Sequence, residues 1–300
     1  MQINMIRSDK VYQEMLELPL EKREGCFRAK ILAPFATKYQ TQHIPLKAKY
    51  PGGFDALFLL GFMNQLPSTL SEKDRPAIDS LSSDQLWQDC QDTIKRSIGL
   101  FEQSGYDLEV EDYHFTILLG NPEKPMLQLN KGYSGDGGIP GYLMLSLLPN
   151  DYTLPRVQAA LAHECNHNVR FQFVKWNQQT TLADWVVSEG LAESFAAELY
   201  GKDLIGPWVT STSPEQLEEI KPIISSQLQL TGMAEMAPYL YGDEIAKIQG
   251  QIPVGMPYAA GYAYGYHLIQ AYLKKTGKSI IEATVTPTEE VLETAKDFWQ

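Results

Sequence analysis

Residues 154–173 read LPRVQAALAHECNHNVRFQF, and the string His163-Glu164-Cys165-Asn166-His167 inside them decides how the rest of the chain is understood. After Pro155 the pattern is helical to about Phe173. On a helix, residues four apart lie one above the other, so His163 and His167 can present two imidazoles to a single metal ion. Glu164, beside the first imidazole, is placed to act as general base on a water activated there. The chance expectation for such a string is on the order of 0.005 per chain. Two histidines on a solvated helix face are the plainer alternative.

A catalytic zinc site takes three protein ligands and leaves one position open, so a further donor must come from another element. WVVSEGLAESFAAELYG, residues 185–201, supplies it. Glu189 follows His167 by 22 residues, enough for one helix to end, the chain to reverse and a second helix to begin. Glu193 falls four residues later on the same face, where it can hold the outer nitrogen of His163. The alternative is two acids on an exposed amphipathic face, like Glu198. The small and apolar neighbours of Glu189 and Glu193 describe a buried helix instead, in which an unpaired carboxylate is costly.

HECNH followed by SEGLAE resembles the gluzincin metallopeptidases, and SEGLA is similar to the NEGFA string of their aminopeptidase branch. HECNHNVRF, SEGLAESFAAELYG and the later GYAYGYHLIQAYL together resemble the YjaZ-like predicted zinc-dependent proteases, the DUF2268 family, over about residues 113–280. The resemblance implies zinc on His163, His167 and Glu189, with Glu164 as base and Glu193 as outer partner of His163. Cys165 stands where the family often carries an aromatic residue. It lies two residues from each histidine, which turns it away from the metal and suits a packed core thiol.

Outward from this centre, the first hundred residues look mostly helical and end in an amphipathic helix over about Ser83–Ser104. From about Tyr113, HFTILLG and YLMLSLL read as strands of a small sheet. GYSGDGGIPG between them is either a tight turn or part of an edge strand to which a peptide could add. It is no nucleotide loop, because no GxxxxGK[ST] is present. Thr181 with Asp184, Ser213-Pro214 with Gln216, and Thr286-Pro287 with Glu289 each predict a helix start. His43 and His114 stand alone and read as structural. In AAGYAYGYHLIQAYL, Tyr262 and Tyr266 share a helical face, and GYAYGY is similar to the GYxxxYY segment of thimet-type zinc oligopeptidases. That likeness makes Tyr262 the first candidate donor to a tetrahedral oxyanion and Tyr266 the second, with His267 a rival and close helix packing the alternative.

With 25 Lys and Arg against 37 Asp and Glu, the net charge of -12 argues against a broad nucleic-acid footprint or an anionic membrane surface. The longest apolar stretch, Phe54–Met63, is far too short to span a bilayer, the N-terminus lacks an apolar leader region, and three scattered cysteines suit a reducing cytoplasm. The expected fold is α+β and zincin-like: a mostly helical region over residues 1–112, then a zincin-like region over 113–300 ending in a helical cap that closes a cleft. The expected activity is zinc-dependent hydrolysis of peptide or protein substrates. A non-catalytic zinc-stabilised binding or chaperone-like protein, and a zinc hydrolase of non-peptide amides or esters, are the alternatives. Oligomeric state is not legible.

Overall fold

The apolar runs that read as strands do pair with one another. In the computed structural model, which describes residues 1–300, β1 (Gln2–Met5), β2 (Asp112–Leu119), β3 (Tyr133–Asp136) and β4 (Tyr142–Leu147) form one mixed sheet in the order β1-β2-β4-β3. β2 runs parallel to both β1 and β4, with Ile3 opposite Tyr113 and Phe115 opposite Leu143, whereas β3 is antiparallel to β4. β2 is buried over nearly all its length, as a central strand with parallel neighbours requires, which explains its continuous apolar run. β1 is an addition to the mostly helical beginning that the sequence suggests. Its four residues alternate polar and apolar but are too few to mark a strand by themselves, and their partner lies more than a hundred residues away.

The chain divides into two compact units, each described here by itself: Met1–Arg96 with Glu109–Leu161, and Ser97–Leu108 with Ala162–Gln300. In the first, α1 (Ser8–Glu17) lies against β2: the Ser8 hydroxyl donates to the Ile117 carbonyl and the Leu119 N–H donates to the Tyr12 hydroxyl at 3.1 Å. Trp87, near the start of α2 (Asp84–Gln103), sets its ring edge against Phe115 at 5.9 Å. The imidazole of His114 stacks on Tyr142 at 5.3 Å, so this histidine is a packing residue.

The second unit is all helix. Beside the end of α2 and a few short turns, its main elements are α3 (Val157–Phe173, from Ala162 onward), α4 (Leu182–Tyr200), α5 (Pro207–Thr210), α6 (Pro214–Ser225), α7 (Met233–Tyr241), α8 (Ala260–Thr276), α9 (Ile280–Val285) and α10 (Thr288–Thr294). Reciprocal capping boxes at Thr181/Asp184 and Ser213/Gln216 start α4 and α6 where their sequences predict. The third predicted start shifts by one residue: Pro287 is the N-cap of α10, and the Thr286 hydroxyl donates back to the Glu282 carbonyl. α4 and α8 cross glycine on glycine. A Cβ added to Gly190 would run into the Gly265 carbonyl, and one added to Gly265 into the Val186 carbonyl. Arg170 of α3 is fully buried, and its guanidinium donates to Ser188 Oγ at 3.0 Å, to the Thr284 and Thr286 carbonyls at 2.8 and 3.1 Å, and to Thr288 Oγ1 at 3.0 Å. No helix of the chain is long and apolar enough to cross a membrane.

Candidate metal centre

Helical spacing puts His163 and His167 on one face of α3, and α4 brings Glu189 and Glu193 against that face. The three inner donor atoms form a nearly equilateral triangle: His163 Nε2 to His167 Nε2 is 3.1 Å, and each lies 3.2 Å from Glu189 Oε2. All three residues are buried, and together they form the one group of His, Cys, Asp or Glu side chains able to hold a metal ion. Tetrahedral bonds of about 2.0–2.1 Å would separate neighbouring donors by about 3.3 Å, so the triangle fits a zinc-sized ion with little adjustment. Cys165 is buried and lies outside this group.

The outer atoms are held as well. Glu193 Oε2 meets His163 Nδ1 at 2.9 Å, a contact that lets Nδ1 keep its hydrogen on the outer side and turns Nε2 toward the centre. Glu193 in turn accepts the Trp208 indole N–H at 2.7 Å and the Gly206 N–H at 2.6 Å. Glu189 Oε1 accepts the Trp185 indole N–H at 3.2 Å, which leaves Oε2 to the triangle. His167 is held differently: its Nδ1 has no hydrogen-bond partner, and its ring stacks on Phe171 at 5.6 Å and 7°. Trp185, four residues before Glu189, stands at helical spacing and could have been found from the sequence. Trp208 and Gly206 reach Glu193 from beyond the end of α4 and leave no local signal.

Burial alone would depress the His163 imidazole, but Glu189 and Glu193 outweigh it and hold it well above the ordinary histidine range. Burial likewise works to raise the Glu189 carboxyl, and the two imidazoles bring it down to about 2. Both directions describe a pocket built around positive charge. Of the two tyrosines, Tyr262 packs against Trp208 and Tyr241, and burial, then the charges of Glu189, Tyr241 and Glu164, push its phenol well above the usual range, so it stays neutral. Tyr266 is raised by burial and by Glu193 only. His267 is lowered by burial and by Lys221, a different neighbourhood. Aromatic rings continue around the centre in successive contact, from Trp208 through Tyr262, Tyr241, Trp185 and Trp176 to Phe171.

A family model described as "Predicted Zn-dependent protease (DUF2268)" matches residues 86–293. Among curated proteins, the chain is 34% identical over 285 residues to the uncharacterized protein YjfC of Bacillus subtilis (strain 168), a match covering 95% of each chain. It is 27% identical over 154 residues to the uncharacterized protein YjaZ of the same strain, over 50% of this chain and 55% of that one. No solved structure matches.

Proposed function

The chain belongs to the DUF2268 family, and from that membership together with the buried triangle of donors we propose that it is a zinc-dependent metallopeptidase of gluzincin type with a zincin-like α+β fold. The triangle of His163 Nε2, His167 Nε2 and Glu189 Oε2 carries the reading. Two imidazoles and a carboxylate are a donor set of catalytic zinc, and three donors leave one tetrahedral position for water or substrate. His163, His167 and Glu189 would hold the zinc, which when bound would supply Lewis-acid chemistry at a scissile carbonyl and a water acidified to a pKa of about 7. Glu164, buried on α3 beside His163, takes the proton of the attacking water on its carboxylate and delivers it to the leaving amine. Tyr262 donates its phenolic hydrogen to the developing oxyanion, with Tyr266 as the second candidate. Peptides or proteins are the substrates, and three free cysteines accord with a cytoplasmic setting.

Metal analysis combined with cleavage of a diverse peptide library tests this directly. Wild type and Glu164→Gln should each carry one zinc per chain, and only wild type should cleave. His163→Ala and Glu189→Ala should lose the metal. A wild-type chain that binds no zinc at micromolar concentrations, or a Glu164→Gln variant that cleaves at the wild-type rate, would remove the proposal.

A further inference from the structure

Far along the sequence from the metal ligands, the first unit displays an aromatic strip. Tyr50, Phe54, Phe58 and Phe62 are 69%, 52%, 50% and 39% exposed, values that core side chains never show. Phe58 touches both Phe54 and Phe62, with ring centroids 5.9 and 5.6 Å apart, and the Tyr50 ring lies over Gly53. Apart from the Tyr50 hydroxyl, these side chains offer area without any directional donor or acceptor.

The strip stands on a built support. Asp55 is buried and caps the helical turn Ala56–Leu60 by accepting the Phe58 N–H at 2.9 Å. Its other oxygen accepts the Ala48 N–H at 3.0 Å and pairs with Arg28 at 2.8 Å, while Arg28 also donates to the Leu46 carbonyl. One carboxylate therefore ties the loop carrying Lys47, Lys49 and Tyr50 to the turn carrying the phenylalanines.

The strip's own segment is opposite in charge to the chain as a whole. Between Thr41 and Ser71 the charged residues are Lys47, Lys49 and Asp55, in a molecule of net charge -12. Both lysines are exposed, and Asp55 is buried against Arg28, which also pairs with the exposed Glu24. At physiological salt the Debye length is about 8 Å, so local charge decides, and with Glu24 and Asp55 both paired to Arg28 the exposed charges this segment itself presents are Lys47 and Lys49. A second copy of the chain suits this poorly, because a two-fold contact would press lysines against lysines. A partner that offers apolar depth, no fixed shape and negative charge suits it well.

We infer that the strip from Tyr50 to Phe62 docks on the surface of an anionic lipid bilayer, its rings entering the boundary between headgroups and acyl chains and Lys47 and Lys49 meeting the lipid phosphates. The docking is peripheral and reversible, and it is independent of what the metal centre does. It departs from the expectation drawn from whole-chain charge, which averages over the molecule and does not describe this segment.

Sedimentation of the full chain with vesicles is the test. Wild type should pellet with phosphatidylcholine vesicles containing about a third phosphatidylglycerol, should bind pure phosphatidylcholine at least roughly tenfold more weakly, and should be released by salt. Lys47→Glu with Lys49→Glu should weaken binding roughly tenfold or more. Phe54→Ser with Phe58→Ser should abolish it, with circular dichroism and bound metal unchanged. Wild type that does not pellet with the anionic vesicles overturns the inference, as does binding that neither pair of substitutions alters. Dimers of wild type that the phenylalanine pair converts to monomers, without vesicle binding, would make the strip a self-contact and overturn it equally.

Discussion

Glu193 does its work through three neighbours: the His163 ring at 2.9 Å, the Trp208 indole at 2.7 Å and the Gly206 amide at 2.6 Å. Glu193→Gln keeps the shape and removes the charge that favours the Nδ1–H tautomer. Zinc affinity should fall about 10- to 100-fold, as is usual when an outer partner of a histidine ligand is changed, and competition with a calibrated chelator measures it. Trp208→Phe deletes the indole donor and trims the ring that packs against His163 and Tyr262, and it should sit near the tenfold end of that window. Unchanged affinity in both variants would mean that packing alone orients His163. The tyrosines separate by their surroundings. Tyr262 feels Glu189 and Glu164, and Tyr266 feels Glu193, so Tyr262→Phe should cost roughly 10² to 10³ in kcat and Tyr266→Phe only a few-fold, with zinc content intact in both. Equal, small losses would make both tyrosines packing residues.

At the scale of elements, the crossing of α4 and α8 is the most demanding contact of the second unit. Gly190→Ala drives a methyl group into the Gly265 carbonyl, a backbone atom that cannot rotate aside. Overpacking typically costs about 1–3 kcal/mol, and here the upper end or beyond is expected, seen as a lowered Tm together with weakened zinc binding because Glu189 is the adjacent residue. A Gly190→Ala protein with wild-type Tm would show that the helices can part at no cost. Local rules made much of these elements legible. Thr181 and Asp184 announce α4 because a capping box is a local event, and helical spacing puts His163 with His167 and Glu189 with Glu193 on shared faces, whereas the meeting of those two faces was legible only from the need for a third ligand and from the family resemblance. What stayed hidden is non-local. QINM becomes β1 through a parallel partner far along the chain, and it takes pairing with β4 to decide that YSGD, open between a turn and an edge strand in the sequence, is the edge strand β3. Thr286 gives up its expected capping role because its hydroxyl bonds to Glu282 and its carbonyl to Arg170.

For the whole molecule, chelation and thiol chemistry report on integrity. A ligand held only by the folded state, at about a thousand times its Kd, stabilises by about 4 kcal/mol, so removing zinc with a chelator should lower Tm by several degrees and re-addition should restore it. An unchanged Tm would argue against tight binding at the folded centre. Of the three free cysteines, Cys90 is buried, which pushes its thiol up to about 12, Cys165 is buried on α3, and Cys26 is half-buried. A chromogenic disulfide reagent at mildly alkaline pH should therefore label Cys26 alone in the native chain and all three cysteines in denaturant. Native labelling of Cys165 would place that thiol on the surface. The glycine crossing bears also on time. Glu189 sits next to Gly190 on α4 and Tyr262 one turn before Gly265 on α8, and at the two glycines backbone meets backbone, so that point of the crossing cannot yield by a change of rotamer. The carboxylate and the phenol thus ride on one frame: a collective displacement in the microsecond-to-millisecond range would carry both together, and the freedom left to Tyr262 relative to Glu189 is the much faster torsion of its own side chain.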